Sequence, residues 1–198
     1  MNKKLDLKDF ELQKVKFNAK KGLIIDWFDL NQSNDLYSVD SDSKPSEDYY
    51  DALNSLKEVF AYALGTNNGW DFAREHNRKN DEVLKKTITF WHEEIENVTI
   101  SGLTVIGAKE SKGIKISGTL RTDLGTVAIT SPVIRFDSEI TNSVEEVIMI
   151  GDLAECAFKE IEKEVWSFIY KGKRGGELFG SEPIESGLNG VVTMSKVG

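Results

Sequence analysis

Cysteine, histidine and proline are scarce in this 198-residue chain, which has one Cys, two His and three Pro. The single thiol, Cys156, cannot form an internal disulfide, which suits a reducing compartment. With His76 and His92 the only imidazoles, there is no HExxH pair and no Cys/His set suited to zinc. His92-Glu93-Glu94 has the chemistry to seed a metal site, but such a trio is more commonly a solvated helix face. P-loop, GxSxG and dinucleotide fingerprints are missing as well. The chain thus offers no catalytic residue, no metal ligand set and no cofactor site, and the reading leans away from an enzyme. No apolar run is long enough to span a bilayer, and the charged start Met1-Asn2-Lys3-Lys4 has no signal-peptide profile. A cytoplasmic protein without membrane attachment is expected.

What the chain does contain is organised around residues 97–170. Three runs have apolar residues at every second position: Val98 to Val105, Ile114 to Leu120, and Val127 to Phe136. This spacing puts one side of a strand on a core and the other in water. Ser101-Gly102 interrupts the first run, where a bulge is expected, and Gly118 breaks phase in the second. Pro132 lacks the amide a central ladder needs, so the third run lies at an edge or is leaving the sheet there. Lys109 to Gly113 and Thr122 to Gly125 read as hairpin connections, giving an antiparallel meander. The segment from Ser143 to Tyr170 reads as a long amphipathic helix, with Val147, Ile150, Ala154, Ala157, Ile161, Val165 and Phe168 on one stripe. Ser143 and Glu146 form a capping-box pattern at its start.

Upstream, Phe10, Leu12, Val15 and Phe17 predict a first strand and residues 22–30 a second, joined by a turn over Asn18 to Gly22. Asn31 to Pro45 is acidic and serine-rich, and predicts a mobile surface loop. Ser46 caps a predicted helix with Tyr49, Leu53, Leu56, Phe60 and Ala63 on one face and Gly65 at its end. Thr66 to Glu96 is read as a helical insert, although Thr87 to Trp91 alone would pass as a strand. Strands and helices do not alternate one for one, so a doubly wound parallel fold is not expected. The expectation is one α+β domain over residues 1–180, with residues 181–198 as a loose tail. An antiparallel sheet of about five strands, an N-terminal hairpin plus the meander, is covered by two or three helices, the last one long.

The net charge of −8 is unevenly spread. Residues 1–22 carry seven Lys against three acids, whereas residues 23–60 and 136–170 each carry nine acids against two Lys. Such acidic blocks oppose a broad nucleic-acid surface, which needs clustered cations, but leave room for a narrow one. Asp26, Asp29, Asp40 and Asp42 are plentiful carboxylates rather than a specific pair. Cys156 falls in or beside the buried stripe, the place of an inert core thiol. Trp27 and Phe28 are adjacent in a strand, so one of them faces away from the core unless something covers that side.

The candidate binding residues lie where the long helix stops: Tyr170, Lys171, Lys173 and Arg174, followed by Leu178 and Phe179. Cations and glycines after a helix can meet a phosphate or other anion. They also suit a helix C-cap with cations answering the negative dipole end; if instead Lys171, Lys173 and Arg174 serve an anionic ligand, replacing all three exposed cations is expected to cost little stability and much binding. Leu178-Phe179 could enter a pocket of a protein partner. More aromatics are present (Trp27, Phe28, Tyr62, Trp91, Trp166) than the predicted elements need to cover, which points to a homo-oligomer.

The layout resembles a family of uncharacterised proteins of tailed phages and prophages. The resemblance rests on the two N-terminal strands, the Pro45, Tyr49, Ala52, Leu53, Leu56 helix pattern and the Gly-rich pair SGLTVIG and IKISGTL. Ser131-Pro132, and a helix closing on Tyr170, Gly172, Lys173 and Arg174 with Leu178-Phe179 after it, complete the pattern. It implies a phage-encoded accessory protein in the host cytoplasm, close to replication or recombination, and it assigns no activity. Leu178-Phe179 is also similar to peptides that bind bacterial sliding clamps, though Glu177 stands without the usual glutamine. Two functions from different classes follow as expectations. One is a non-enzymatic binding protein for a component of DNA metabolism, protein or nucleic acid; the other is a counter-defence protein that sequesters a nucleotide signal or masks a host enzyme, with Lys171, Lys173 or Arg174 on phosphate.

Overall fold

The structure, a computed structural model, describes residues 5–31, 35–63, 96–108, 111–122, 124–141 and 147–175; at 122, 140–141 and 147–148 it describes the backbone alone. It is α+β, as the sequence predicts. In chain order the elements are β1 (Phe10–Phe17), β2 (Leu23–Asp29), β3 (Asp35–Ser41), α1 (Glu47–Asn54), α2 (Leu56–Ala63), β4 (Val98–Ile106), β5 (Gly113–Thr122), β6 (Gly125–Thr130), β7 (Ile134–Arg135), β8 (Ile140–Thr141), β9 (Val147–Ile148) and α3 (Ile150–Tyr170). Among the described residues, seven strands form a mostly antiparallel open sheet in the order β3-β2-β1-β4-β5-β6, with β7 also on β5; β8 and β9 form a separate pair.

The chain divides into two compact units. The first holds the described residues up to Leu53, Gly102–Val105 and those from Ala157 onward. Its strands β1 and β2 are the predicted hairpin, and their buried residues alternate as period two requires. Asn18 makes the turn: its side-chain oxygen accepts from the amides of Lys20 at 3.0 Å and Gly22 at 2.8 Å, while Lys21 takes a positive φ of 64°. The β1–β2 register slips between Leu12 and Lys14, and the Leu12 amide donates instead to Glu162 Oε1 on α3 at 2.9 Å. Trp27 is buried, with its ring stacked between Phe10 at 5.9 Å and Tyr37 at 5.7 Å, whereas Phe28 on the other face is half-buried.

Within Asn31 to Pro45, residues 35–41 form a strand where composition suggests a mobile loop. Asp35–Ser41 pairs with β2 over its whole length as β3. Tyr37, Val39 and Ser41 point to one side, and Val39 is fully buried. Ser38 Oγ donates to Asp26 on the neighbouring strand at 2.6 Å. Asn18 Nδ2 bonds both Asp40 at 2.7 Å and the Ser41 carbonyl at 3.1 Å, so polar residues here are cross-strand partners, not solvated loop.

The second unit holds the described residues of Asn54–Ser101 and Ile106–Cys156. The predicted helix after Ser46 is two pieces, with Asn54-Ser55, both weak helix formers, at the junction. The Tyr49 amide does donate to the Ser46 hydroxyl, at 3.4 Å. Leu56, Val59, Phe60 and Ala61 form the buried side of α2. Gly118 keeps the phase of β5, since Ile114, Ile116 and Gly118 are all buried. A Cβ there would lie 2.5 Å from the Thr99 carbonyl oxygen, so glycine serves close approach of strands rather than a change of phase. In β4 the buried positions pass from Val98, Ile100 and Gly102 to Leu103 and Val105, so the alternation slips at Gly102 as its sequence suggests, and Gly102 pairs with Lys16 of β1.

The third predicted strand is divided into β6 and β7, with Pro132 in the break and on the sheet edge. The pairing on β5 moves by one residue between Ser117↔Thr130 and Ile114↔Ile134. At that step the Ile116 amide donates to Ser131 Oγ at 2.9 Å, and Ser131 is buried. The long helix begins later than expected, at Ile150, because β-branched Val147 and Ile148 extend as β9 against β8. The Gly151 amide donates to the Ser138 carbonyl at 2.9 Å. Ser143 and Glu146, the insert over 66–95, and residues 176–198 lie outside the described residues. From Ile150 on, the predicted stripe is buried as expected: Ala154, Ala157, Phe158, Ile161, Val165, Phe168 and Ile169.

The strand assignment of β3 is testable at Val39. Val39→Asp is expected to lower unfolding stability in urea by at least about 2 kcal/mol, because a carboxylate is then placed in an apolar site. A change within about 0.5 kcal/mol is what a surface loop would give.

Candidate functional site

Gly172, at φ 64°, ends α3 in the left-handed conformation, and the amides of Lys171 and Lys173 both reach the Ser167 carbonyl, at 2.9 and 3.2 Å. The chain then runs alongside residues 44–45: Arg174 pairs with Pro45, and the Gly175 amide donates to the Lys44 carbonyl at 2.9 Å. The helix end is thereby joined to the segment that leads into α1.

Of the sequence-predicted residues, the described four lie together here, with Tyr170 buried, Lys173 and Arg174 half-buried and Lys171 exposed. Tyr170 is buried, with its ring edge-on to Phe10 at 6.3 Å. Lys173 sits between two carboxylates, with Nζ 2.6 Å from Glu164 Oε2 and 2.6 Å from Asp48 Oδ2. Burial opposes the Lys173 charge, but the hydrogen bonds to Asp48 and Glu164 outweigh it and raise its pKa. The Lys173 hydrogen bond likewise holds Asp48 below the usual carboxylate range. The Arg174 guanidinium lies 5.8 Å from the Phe168 ring centroid. Lys171 is the exposed cation of the three, its ammonium 4.9 Å from the centre of the Trp166 ring, whose Nε1 donates to the Leu5 carbonyl at 2.9 Å. The expectation that all three cations are exposed and dispensable is corrected at Lys173: Glu164 is buried, and this ammonium is its ion-pair partner. Leu178 and Phe179 lie outside the described residues.

Cys156 is also corrected: it is exposed on α3, not in the buried stripe. It stands one position from Ala157, which is buried, so the spacing alone placed it on the wrong side of the stripe's border.

A second surface was not anticipated. The end of the β5–β6 hairpin projects into solvent: Leu124 is fully exposed and Val127 is 52% exposed. Lys115 and Arg121 are exposed on the β5 face opposite buried Ile114, Ile116 and Gly118. Ser117 and Thr119 stand between them on that face, and β6 adds Thr126, Ala128 and Thr130 by register. Residues 111–136 carry Lys112, Lys115, Arg121 and Arg135 against Asp123 alone, in a chain of net charge −8. That local reversal of sign was readable in the sequence; the exposure of both faces of β6 was not.

Lys173→Ala is expected to destabilise the fold by about 1–3 kcal/mol, since it leaves the buried Glu164 carboxylate without its charged partner. Adding Glu164→Gln should recover part of that loss in a double-mutant cycle read by urea unfolding. Because the Lys173 pKa is raised, its contribution is complete below the ordinary lysine range and is lost as pH climbs through the folded value. The Asp48 pKa is lowered, so its share is present above the ordinary aspartate range and fades as pH falls through the folded value. A stability difference between wild type and Lys173→Ala that is flat between about pH 5 and 9 and shrinks on either side is the expected profile.

Compared with protein-family models, curated proteins and solved structures, the chain matches none of them.

Proposed function

We propose that the protein acts by binding, as a non-enzymatic accessory protein that engages a component of DNA replication or recombination, and that it is encoded by a phage or prophage. The carrying observation is the outer face of the β5–β6 hairpin. It sets exposed Lys115 and Arg121 among Ser and Thr hydroxyls, in a chain of net charge −8. Cations with hydroxyl and backbone donors are the groups that contact phosphate oxygens, and a face this small fits the narrow footprint that the acidic blocks allow. The same face would suit an acidic protein segment. The nucleotide-sequestering alternative draws on Lys171, Lys173 and Arg174, of which Lys173 is already held by Asp48 and Glu164.

The test is fluorescence anisotropy with labelled single- and double-stranded oligonucleotides, and with purified replication and recombination proteins, at two salt concentrations. Lys115→Glu with Arg121→Glu is expected to weaken binding at least tenfold, the wild-type interaction falling with salt. Binding that ignores this double reversal, or a lack of binding to every probe, overturns the reading.

A further inference from the structure

We propose that β6 is a self-complementary edge through which two copies of this chain form a continuous antiparallel sheet about a twofold axis at Ala128. The inference is carried by backbone geometry and does not rest on the functional reading above.

The direction of each peptide group on β6 follows from two independent hydrogen bonds. The Ser131 amide donates to the Ile116 carbonyl at 2.9 Å, which makes residues 131, 129, 127 and 125 those that bond toward β5. The Arg121 amide donates away from β6, to the Asn97 carbonyl at 2.9 Å, and Arg121 stands opposite Thr126. Both observations turn the amides and carbonyls of Thr126, Ala128 and Thr130 outward along the sheet edge.

Those three residues are evenly spaced about Ala128. A second copy placed antiparallel with Ala128 opposite Ala128 sets Thr126 opposite Thr130 and Thr130 opposite Thr126. Every outward amide and carbonyl of β6 then acquires a partner, in about six backbone hydrogen bonds. An axis midway between two residues would align an outward-facing group with an inward-facing one, and an axis at Val127 or Ile129 would leave one of the three outward residues without a partner on β6, so this register alone pairs all three within the strand. The same register makes Val127 and Ile129 close cross-strand neighbours and brings Leu124 of each copy to Pro132 and Val133 of the other. Leu124, Val127 and Val133 are large apolar side chains left exposed in the single chain, and all three fall along this seam.

The choice of a second copy over another strand rests on the side chains: this register sets the exposed Leu124, Val127 and Val133 of both copies along one seam, with no charge on either β6. Natural sheet edges are blunted by charge, proline or a bulge. The opposite edge, β3, carries Asp35 and Asp40. GTVAIT, the sequence of β6, has no charge and no proline, and its bulge and Pro132 come only after its end. An isologous pair also closes on itself and leaves no edge at the seam to recruit a third chain.

The experiment uses the full chain. Wild type is expected to sediment as a dimer at micromolar concentration, and Ala128→Pro as a monomer, its dissociation constant raised at least tenfold. The Ala128 amide makes no bond to β5, so proline there spares the hairpin ladder, and circular dichroism should be unchanged. In a Cys156→Ser background, Ala128→Cys should form a disulfide dimer on mild oxidation, whereas Thr126→Cys, displaced four residues from its own copy in this register, should not. The cysteine pair decides the register even if the proline variant fails to fold. A monomeric wild type, a dimer indifferent to proline at Ala128, or equal crosslinking from both cysteines overturns the proposal.

Discussion

Within the first unit, everything depends on how α3 is fastened to β1. The apolar stripe of a helix is non-directional and would tolerate sliding along a sheet, since area removed from water has no preferred register. Three directional contacts remove that freedom. The register slip in β1 frees the Leu12 amide for Glu162, the Trp166 indole donates to the Leu5 carbonyl, and Tyr170 meets the edge of Phe10. These fall at successive fours along the helix, on one face, so a single helical orientation satisfies them together. Phe10 in turn supports the stacked Trp27 and Tyr37, so the helix position reaches β3 through a line of rings.

The elements legible in the sequence are those whose burial is periodic. Residues 150–170 and β1, β2 and β4 show the apolar spacing that their structures use. β3 was hidden because its stabilising partners are polar: Asp26, Ser38, Asn18 and Asp40 look like a solvated loop until the neighbouring strand is in place. Composition reports what a residue is, whereas a cross-strand pair depends on what stands opposite it. The early start assigned to α3 failed for a related reason. Val147 fits the helical stripe, but β-branched Val147 and Ile148 also fit a strand, and pairing with Ile140-Thr141 decides between them.

The candidate site shows the same limit in charge. Lys171, Lys173 and Arg174 are alike in sequence and distinct in place: one over a tryptophan ring, one between two carboxylates, one against Phe168. Glu164 is nine residues before Lys173, and the turn at Gly172 brings the chain back to it. No spacing rule joins that pair, because the reversal is set by a left-handed glycine and by the strand-like contact of Arg174 with Pro45. The exposed basic hairpin was legible as a local change of sign and not as a surface, since alternation alone reads β6 as half-buried.

The two edges of the sheet answer the hazard of open backbone groups differently. On β3, acidic side chains and cross-strand polar bonds accompany the outward peptide groups, and a neighbouring strand would have to displace or neutralise them. On β6 there is no such obstacle: Thr, Val, Ala, Ile and Thr follow one another, all compatible with a ladder on both sides. Charge could have been placed on β6 at no cost to the core, since Thr126, Val127, Ala128 and Thr130 are all exposed. Cations do appear next door, at Lys115 and Arg121, but they stand on the face of β5 and leave the edge of β6 unguarded. A strand that is exposed on both faces and still carries β-branched side chains gains little by burial in the single chain. Its composition makes physical sense if pairing along the edge, rather than packing of its faces, is what those residues serve.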